Sequence, residues 1–178
     1  MKKNIIIPSI LILLFFSIYM NYKQYALNKH YKNLIPYLLV GEEIENVDLI
    51  DKDAQLIDPM QLKKGVSVVF VFLKECSPCD KNIVFWRKFA KLFDKKISVT
   101  SVVLNTPTEG FKFAEKAKLN FNVYVPDDLP KYVRDMKMSI NQSQTIILKD
   151  GRVEMVRVGI LDSETAIEIM SKIKGLLK

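Results

Sequence analysis

The sequence predicts an α/β domain, strands and amphipathic helices alternating along the chain, carried behind one apolar N-terminal segment. Three observations predict it. Val66, Val68, Val69, Phe70, Val71, Phe72 and Leu73, interrupted only by Ser67, give residues 66–73 the pattern of a central strand covered on both faces. Directly afterwards, Lys74-Glu75-Cys76-Ser77-Pro78-Cys79-Asp80 holds both cysteines of the chain, ahead of a helical pattern. At the other extreme, residues 5–20 are an apolar and small-residue run broken only by Pro8, Ser9 and Ser17.

That run is slightly shorter than the roughly twenty residues a bilayer span needs, but it reaches that length by continuing to Tyr25. Tyr19, Tyr22 and Tyr25 recur every three residues, which suits an interfacial aromatic belt. No small-x-small cleavage site comes after it; the nearest candidate is Gln24-Tyr25-Ala26. An uncleaved signal-anchor over residues 1–25 is therefore favoured over a cleaved signal peptide. Lysines flank the run on both sides, so charge bias hardly orients it. Because such a segment normally exports the chain behind it, the main domain is expected outside the cytoplasm, on a single-pass membrane protein. Residues 26–37 are expected to form a stalk, and 38–178 the globular domain.

The net charge of +7 invites a nucleic-acid reading, but its distribution opposes one. Residues 1–37 contain Lys2, Lys3, Lys23, Lys29 and Lys32 and no acid, so most of the excess lies beside the apolar run. Anionic lipid headgroups are the better partner there. Hydrophobic residues at 49% suffice for a core without disulfide staples, and a small disulfide scaffold would carry more than 2 cysteines.

Within the globular part, residues 47–50 read as a short strand, Asp51-Lys52-Asp53 as a turn, and residues 55–57 as a second short strand. Asp58 and Pro59 suit the cap and first position of a helical turn closed by Lys63-Lys64-Gly65. Beyond the cysteines, Ile83, Trp86, Phe89, Ala90 and Phe93 fall on one helical face, with Lys81, Arg87, Lys88, Lys91 and Lys95 outside it. Residues 97–104 are the next strand, completing a βαβ unit. Then come a helix over 108–119 with Thr108 as cap, a strand over 121–125 and a helix over 127–138. Residues 145–148 and 152–158 flank Lys149-Asp150-Gly151, a hairpin with an Asp-Gly turn signal. A last helix, capped at Asp162 or Ser163, runs through Ala166, Ile167, Ile169, Met170, Ile173 and Leu176.

This order, with a CxxC between a buried strand and the next helix, resembles the thioredoxin superfamily, and more closely its membrane-anchored TlpA/ResA-like group. The likeness covers residues 40–178. It also rests on Gly41, Asp51-Lys52-Asp53, the stretch 61–65 and Lys149-Asp150-Gly151-Arg152. The resemblance implies a thioredoxin-like fold, a central mixed sheet flanked by helices, and thiol–disulfide exchange with exported proteins. It implies Cys76 as nucleophile at the mouth of the helix, where the helix dipole, Lys74 and Lys81 favour a thiolate and Glu75 opposes it. Cys79 is then the resolving cysteine, the two forming a Cys76–Cys79 disulfide in the oxidised state. The implied partners are a disulfide-containing exported protein and a membrane thiol reductant that recharges the pair. No cofactor or metal is implied.

Three positions depart from that pattern. Glu75 stands where Trp is frequent, and Phe70 where an acidic or polar residue assists proton transfer to the inner thiol. Gln144, followed by Thr145, occupies the cis-proline place in the expected substrate-docking loop; a non-proline cis bond costs about 3–4 kcal/mol, so a trans bond is expected. These departures keep a second reading open, a non-catalytic binding or scaffold module with a static disulfide. Other chemistries fit less well. Leu73 stands where a peroxiredoxin places Thr, a Sco-type copper site needs CxxxC and a histidine, and two cysteines supply only half a zinc site. The one histidine, His30, falls in the stalk.

Overall fold

The computed structural model describes residues 16–23, 40–44, 47–57, 63–73, 76–93, 96–137 and 142–178. The chain divides into two compact units, Met1–Pro36 and Tyr37–Lys178. In the first, residues 16–23 are helical, with Phe16, Ile18, Tyr19, Met20 and Tyr22 between 48% and 69% exposed. Residues 5–15 of the expected anchor and the whole 26–37 stalk, His30 included, lie outside the described residues. Among the described residues no helix is long and apolar enough to cross a membrane, so the expected spanning helix is not found.

The second unit alternates strands and helices in the order β1 (Leu49–Ile50), β2 (Val66–Phe72), α1 (Ser77–Leu92), β3 (Ser98–Val103), α2 (Pro107–Lys116), β4 (Asn122–Pro126), α3 (Leu129–Asp135), β5 (Gln144–Lys149), β6 (Arg152–Val158) and α4 (Ser163–Leu176). The strands form one mixed sheet ordered β1-β4-β3-β2-β5-β6. β2, β3 and β4 run parallel; β5 is antiparallel to β2, β6 to β5, and β1 to β4. This is the thioredoxin-like arrangement the sequence implied.

β2 is central, and all of its residues are buried. Alternation along it feeds two cores. Val66, Val68, Phe70 and Phe72 pack with Trp86, Phe89 and Phe93 of α1 and its C-terminal flank, and with Ile169 and Ile173 of α4. Val69 and Val71 pack with Tyr132 and Met136 of α3 and its flank, and with Ile146 and Leu148 of β5. α2 lies on the α1 face, and Gly110 lets it approach closely: a Cβ there would stand 2.9 Å from Val125 Cγ2.

Several boundaries differ from the sequence expectation for local reasons. The second short strand at 55–57 reduces to one bridge between Leu56 and Ile50. Asp51 Oδ1 accepts hydrogen bonds from the Asp53 and Gln55 amides, and this turn takes backbone groups a longer ladder would need. α2 is capped at Thr106, two residues before the expected Thr108, because Pro107 fits the first helical turn, where its missing N–H costs nothing. α3 is shorter than 127–138 and is capped at Asp128, whose carboxylate accepts from the Lys131 amide at 2.9 Å. Asp162 caps α4 by accepting from the Thr165 amide, which holds its carboxyl below the usual carboxylate range. Ile167 faces outward, while Ile169 and Ile173 are buried. The helical turn expected at 58–62 lies outside the described residues.

The Asp-Gly hairpin forms as expected. Asp150 and Gly151 both have positive φ, +50° and +81°, the geometry a two-residue turn between twisted strands requires. Asp150 Oδ1 accepts from the Gly65 amide and its own amide donates to the Gly65 carbonyl, which ties the turn to the start of β2.

Candidate active site

β2 delivers the chain to the cysteines and α1 takes it away. Cys76 is the N-cap of α1, in extended conformation, and its carbonyl accepts from the amides of Cys79 at 2.8 Å and Asp80 at 3.3 Å. No side chain caps this helix start, and Pro78 lies in its first turn. The positive end of the helix dipole is thus presented at Cys76. Cys76 and Cys79 form a disulfide with Cα atoms 5.1 Å apart. The two are unequal: Cys76 keeps 7% of its surface and Cys79 none. An incoming thiol or disulfide therefore meets Cys76 first. Lys74 and Glu75 lie outside the described residues; Lys81 and Asp80 are exposed.

Behind the sulfurs the wall is aromatic. Phe70 is fully buried, stacked on Trp86 with ring centroids 4.9 Å apart and edge-on to Phe89 at 5.8 Å. Phe72 stacks on Trp86 at 5.1 Å. The place where the resemblance implies a proton carrier is filled by a ring. Among the described residues Ser67, Asn82, Thr100, Ser101, Ser143, Gln144 and Thr145 are buried, and no carboxylate is.

Gln144 and Thr145 are not in a loop. They open β5, opposite Val71 and Phe70 of β2, and both are buried. Cross-strand partners share a face, so Gln144 lies with Val71 on the α3 side and Thr145 with Phe70 on the α1 side. The ladder extends this far because β6 also pairs here, Gln144 standing opposite Val158. No cis peptide occurs among the described residues, in keeping with the trans bond expected at Gln144.

One group at the site went unrecognised in the sequence. Asn82, 1% exposed, projects from α1 one turn past Cys79. Its Nδ2 donates to Ser143 Oγ at 2.9 Å and to the Gly159 carbonyl at 2.8 Å, and its Oδ1 accepts from the Leu161 amide at 2.9 Å. Ser143 Oγ itself donates to the Gly159 carbonyl at 2.7 Å, and the Gly159 amide to the Ser143 carbonyl. The available signal was a polar residue on an otherwise apolar helical face, three after Cys79 and four before Trp86.

Comparison with solved structures places the second unit among thioredoxin-like folds. The thioredoxin domain of a thiol-disulfide oxidoreductase from Bacteroides vulgatus matches with TM-score 0.65 and 18% identity, over 76% of this chain and 98% of that one. A proposed thiol:disulfide interchange protein DsbE from Chlorobium tepidum gives 0.66 and 16%, over 79% and 99%. Peroxiredoxin Q from Xanthomonas campestris gives 0.61 and 13%, over 76% and 99%. A likeness that reaches across such different activities establishes the fold. No curated protein matches the chain. The redoxin family matches residues 39–169, a span that contains the sheet, the CxxC pair and the first half of α4. With a thioredoxin-like oxidoreductase fold and a CxxC pair at the head of α1, the chain belongs to the redoxin family.

Proposed function

We propose that this protein is a membrane-tethered thiol–disulfide oxidoreductase that reduces disulfides of exported proteins through Cys76 and Cys79. The inequality of the two cysteines carries the reading: Cys76, at the uncapped mouth of a helix, keeps 7% of its surface, and Cys79 keeps none. In the reduced protein the Cys76 thiolate attacks one sulfur of the partner disulfide. That bond breaks, a mixed disulfide forms, and the departing partner thiolate takes up a proton. Cys79 gives up its proton and attacks Cys76 Sγ, expelling the second partner thiol. The products are the Cys76–Cys79 disulfide and a partner dithiol, two electrons and two protons having passed to the partner. A membrane thiol reductant returns the pair to the dithiol. The exposed apolar side chains of helical residues 16–23, continuing the run from residue 5, support an N-terminal membrane anchor, and because such a segment normally exports the chain behind it the redoxin domain is assigned outside the cytoplasm.

The test uses the full chain in detergent micelles with a disulfide-bonded polypeptide as substrate and dithiothreitol as recycling reductant. Cys76→Ser is expected to lose the catalysed rate entirely, and Cys79→Ser, reduced beforehand and freed of dithiothreitol, to accumulate a mixed disulfide on Cys76. Equal rates for wild type and Cys76→Ser would instead support a scaffold with a static disulfide, a reading favoured by Phe70 filling the proton carrier's place.

A further inference from the structure

We propose that Asn82 is a positioning residue that fixes the two loops beside the disulfide and so builds the surface on which a polypeptide partner docks. The inference rests on the thiol–disulfide exchange proposed above and adds what makes the site choose a polypeptide over a small disulfide.

Topology puts the pieces together. β5 runs antiparallel to β2, so its first residue, Gln144, is level with Val71 near the end of β2 that leads to Cys76. β6 runs antiparallel to β5, so its last residue, Val158, arrives at the same place. Residues 142–143 and 159–161 therefore lie past the sheet at the end that carries the cysteines. Neither segment belongs to a strand or helix, and backbone pairing joins them through the Gly159 amide and the Ser143 carbonyl. Asn82 supplies the link to α1. Its side chain spends two donors and one acceptor on Ser143, Gly159 and Leu161, partners 61, 77 and 79 positions away in sequence.

A buried amide is well suited to this task. It offers donors and an acceptor together, carries no charge that burial would penalise, and holds its geometry at every pH. The same helix face carries Cys79 one turn earlier, so the spacing from sulfurs to loops is set by a rigid helix. A small disulfide needs only the exposed edge of Cys76. A polypeptide must also lay its flanking backbone against the neighbouring loops, and loose loops charge it the entropy of ordering them.

The test compares wild type, Asn82→Ala and Ser143→Ala, each as the full chain in detergent. Two substrates are used, a disulfide-bonded polypeptide and 5,5′-dithiobis(2-nitrobenzoate). For Asn82→Ala the expected result is a rise in polypeptide KM of about fivefold or more, with kcat and the small-disulfide rate within about twofold of wild type. Ser143→Ala removes a single hydroxyl and should move KM in the same direction by less. It also serves if Asn82→Ala does not fold. A parallel fall on both substrates, or no change on either, overturns the docking role. Amide hydrogen exchange on the oxidised proteins reads the clamp itself: protection at Leu161 should drop at least about tenfold in Asn82→Ala, and unchanged protection overturns the clamp. If the wild type reduces neither substrate, thiol exchange fails as the function, and amide exchange alone decides the clamp.

Discussion

The two ends of β2 are built from the same kind of residue and finished in opposite ways. At the Val66 end, the strand starts from Gly65, which bonds both ways to Asp150 in the exposed Asp-Gly turn. Asp150 sits at the surface and the chain simply reverses, while the hydroxyl of Ser67, one residue into the strand, is buried without a partner. At the Phe72 end, the chain enters a disulfide and a helix N-terminus, and the polar side chains Asn82 and Ser143 are buried and paired with one another. An apolar strand has no preference for where chemistry will sit. The end that opens helices collects dipoles and loops; Asn82 and Ser143 are buried there with partners, whereas the Gln144 side-chain nitrogen is buried at the same end without one.

This contrast can be broken from either end. The largest effect is the loss of exchange in Cys76→Ser, which should leave the turn end and the fold intact. Next comes Trp86→Ala, which removes the ring on which Phe70 and Phe72 stack behind the cysteines. Loss of a fully buried large aromatic costs roughly 3–5 kcal/mol, measurable by denaturant unfolding. Exchange should fall with it, since α1 loses its main contact with β2. At the opposite end, Gly151→Ala forces a side chain into a φ of +81° and brings its Cβ to 3.1 Å from Lys63 Cγ. A cost of about 1–2 kcal/mol is expected, with the exchange rate of the folded protein unchanged. If Gly151→Ala slows exchange without unfolding the chain, the two ends are coupled and the contrast fails.

The smallest expected effect belongs to the other face of the sheet. Tyr132 is buried in the α3 core, and burial holds its hydroxyl in the neutral form well above the usual tyrosine range. The folded protein thus keeps a proton that the unfolded chain releases above pH about 10. The sign comes from that difference: the residue's contribution is whole below pH about 10 and declines as pH rises beyond it. Tyr132→Phe should shift the alkaline unfolding midpoint upward, and a spectroscopic titration should show one fewer late-ionising tyrosine.

Much of the architecture was legible because it is local. Strand 66–72 is apolar on both faces, the α1 stripe from Ile83 to Phe93 keeps helical spacing, and Asp150-Gly151 is among the few pairs that accept two positive φ values. Where local signals competed, the expectation slipped. Thr108 looked like a cap until Pro107 claimed the first turn, and Leu56 had strand character until the Asp51 carboxylate closed its turn. The strand was expected to open at Thr145, and Gln144 lacked any mark to carry it one residue further, since its pairing with Val71 and Val158 is made by residues far off in the chain.

The sequence by itself determined that a CxxC pair stands between a buried strand and a helix, because strand pattern, cysteine spacing and helix periodicity all lie within about thirty consecutive residues. Only the tertiary structure decided that Phe70, Phe72 and Trp86 stack behind the pair and that Asn82 binds the flanking loops to α1. The Asn82 clamp depends on hydrogen bonds across 61 or more positions, and no pattern read along the chain contains the register that brings such partners together.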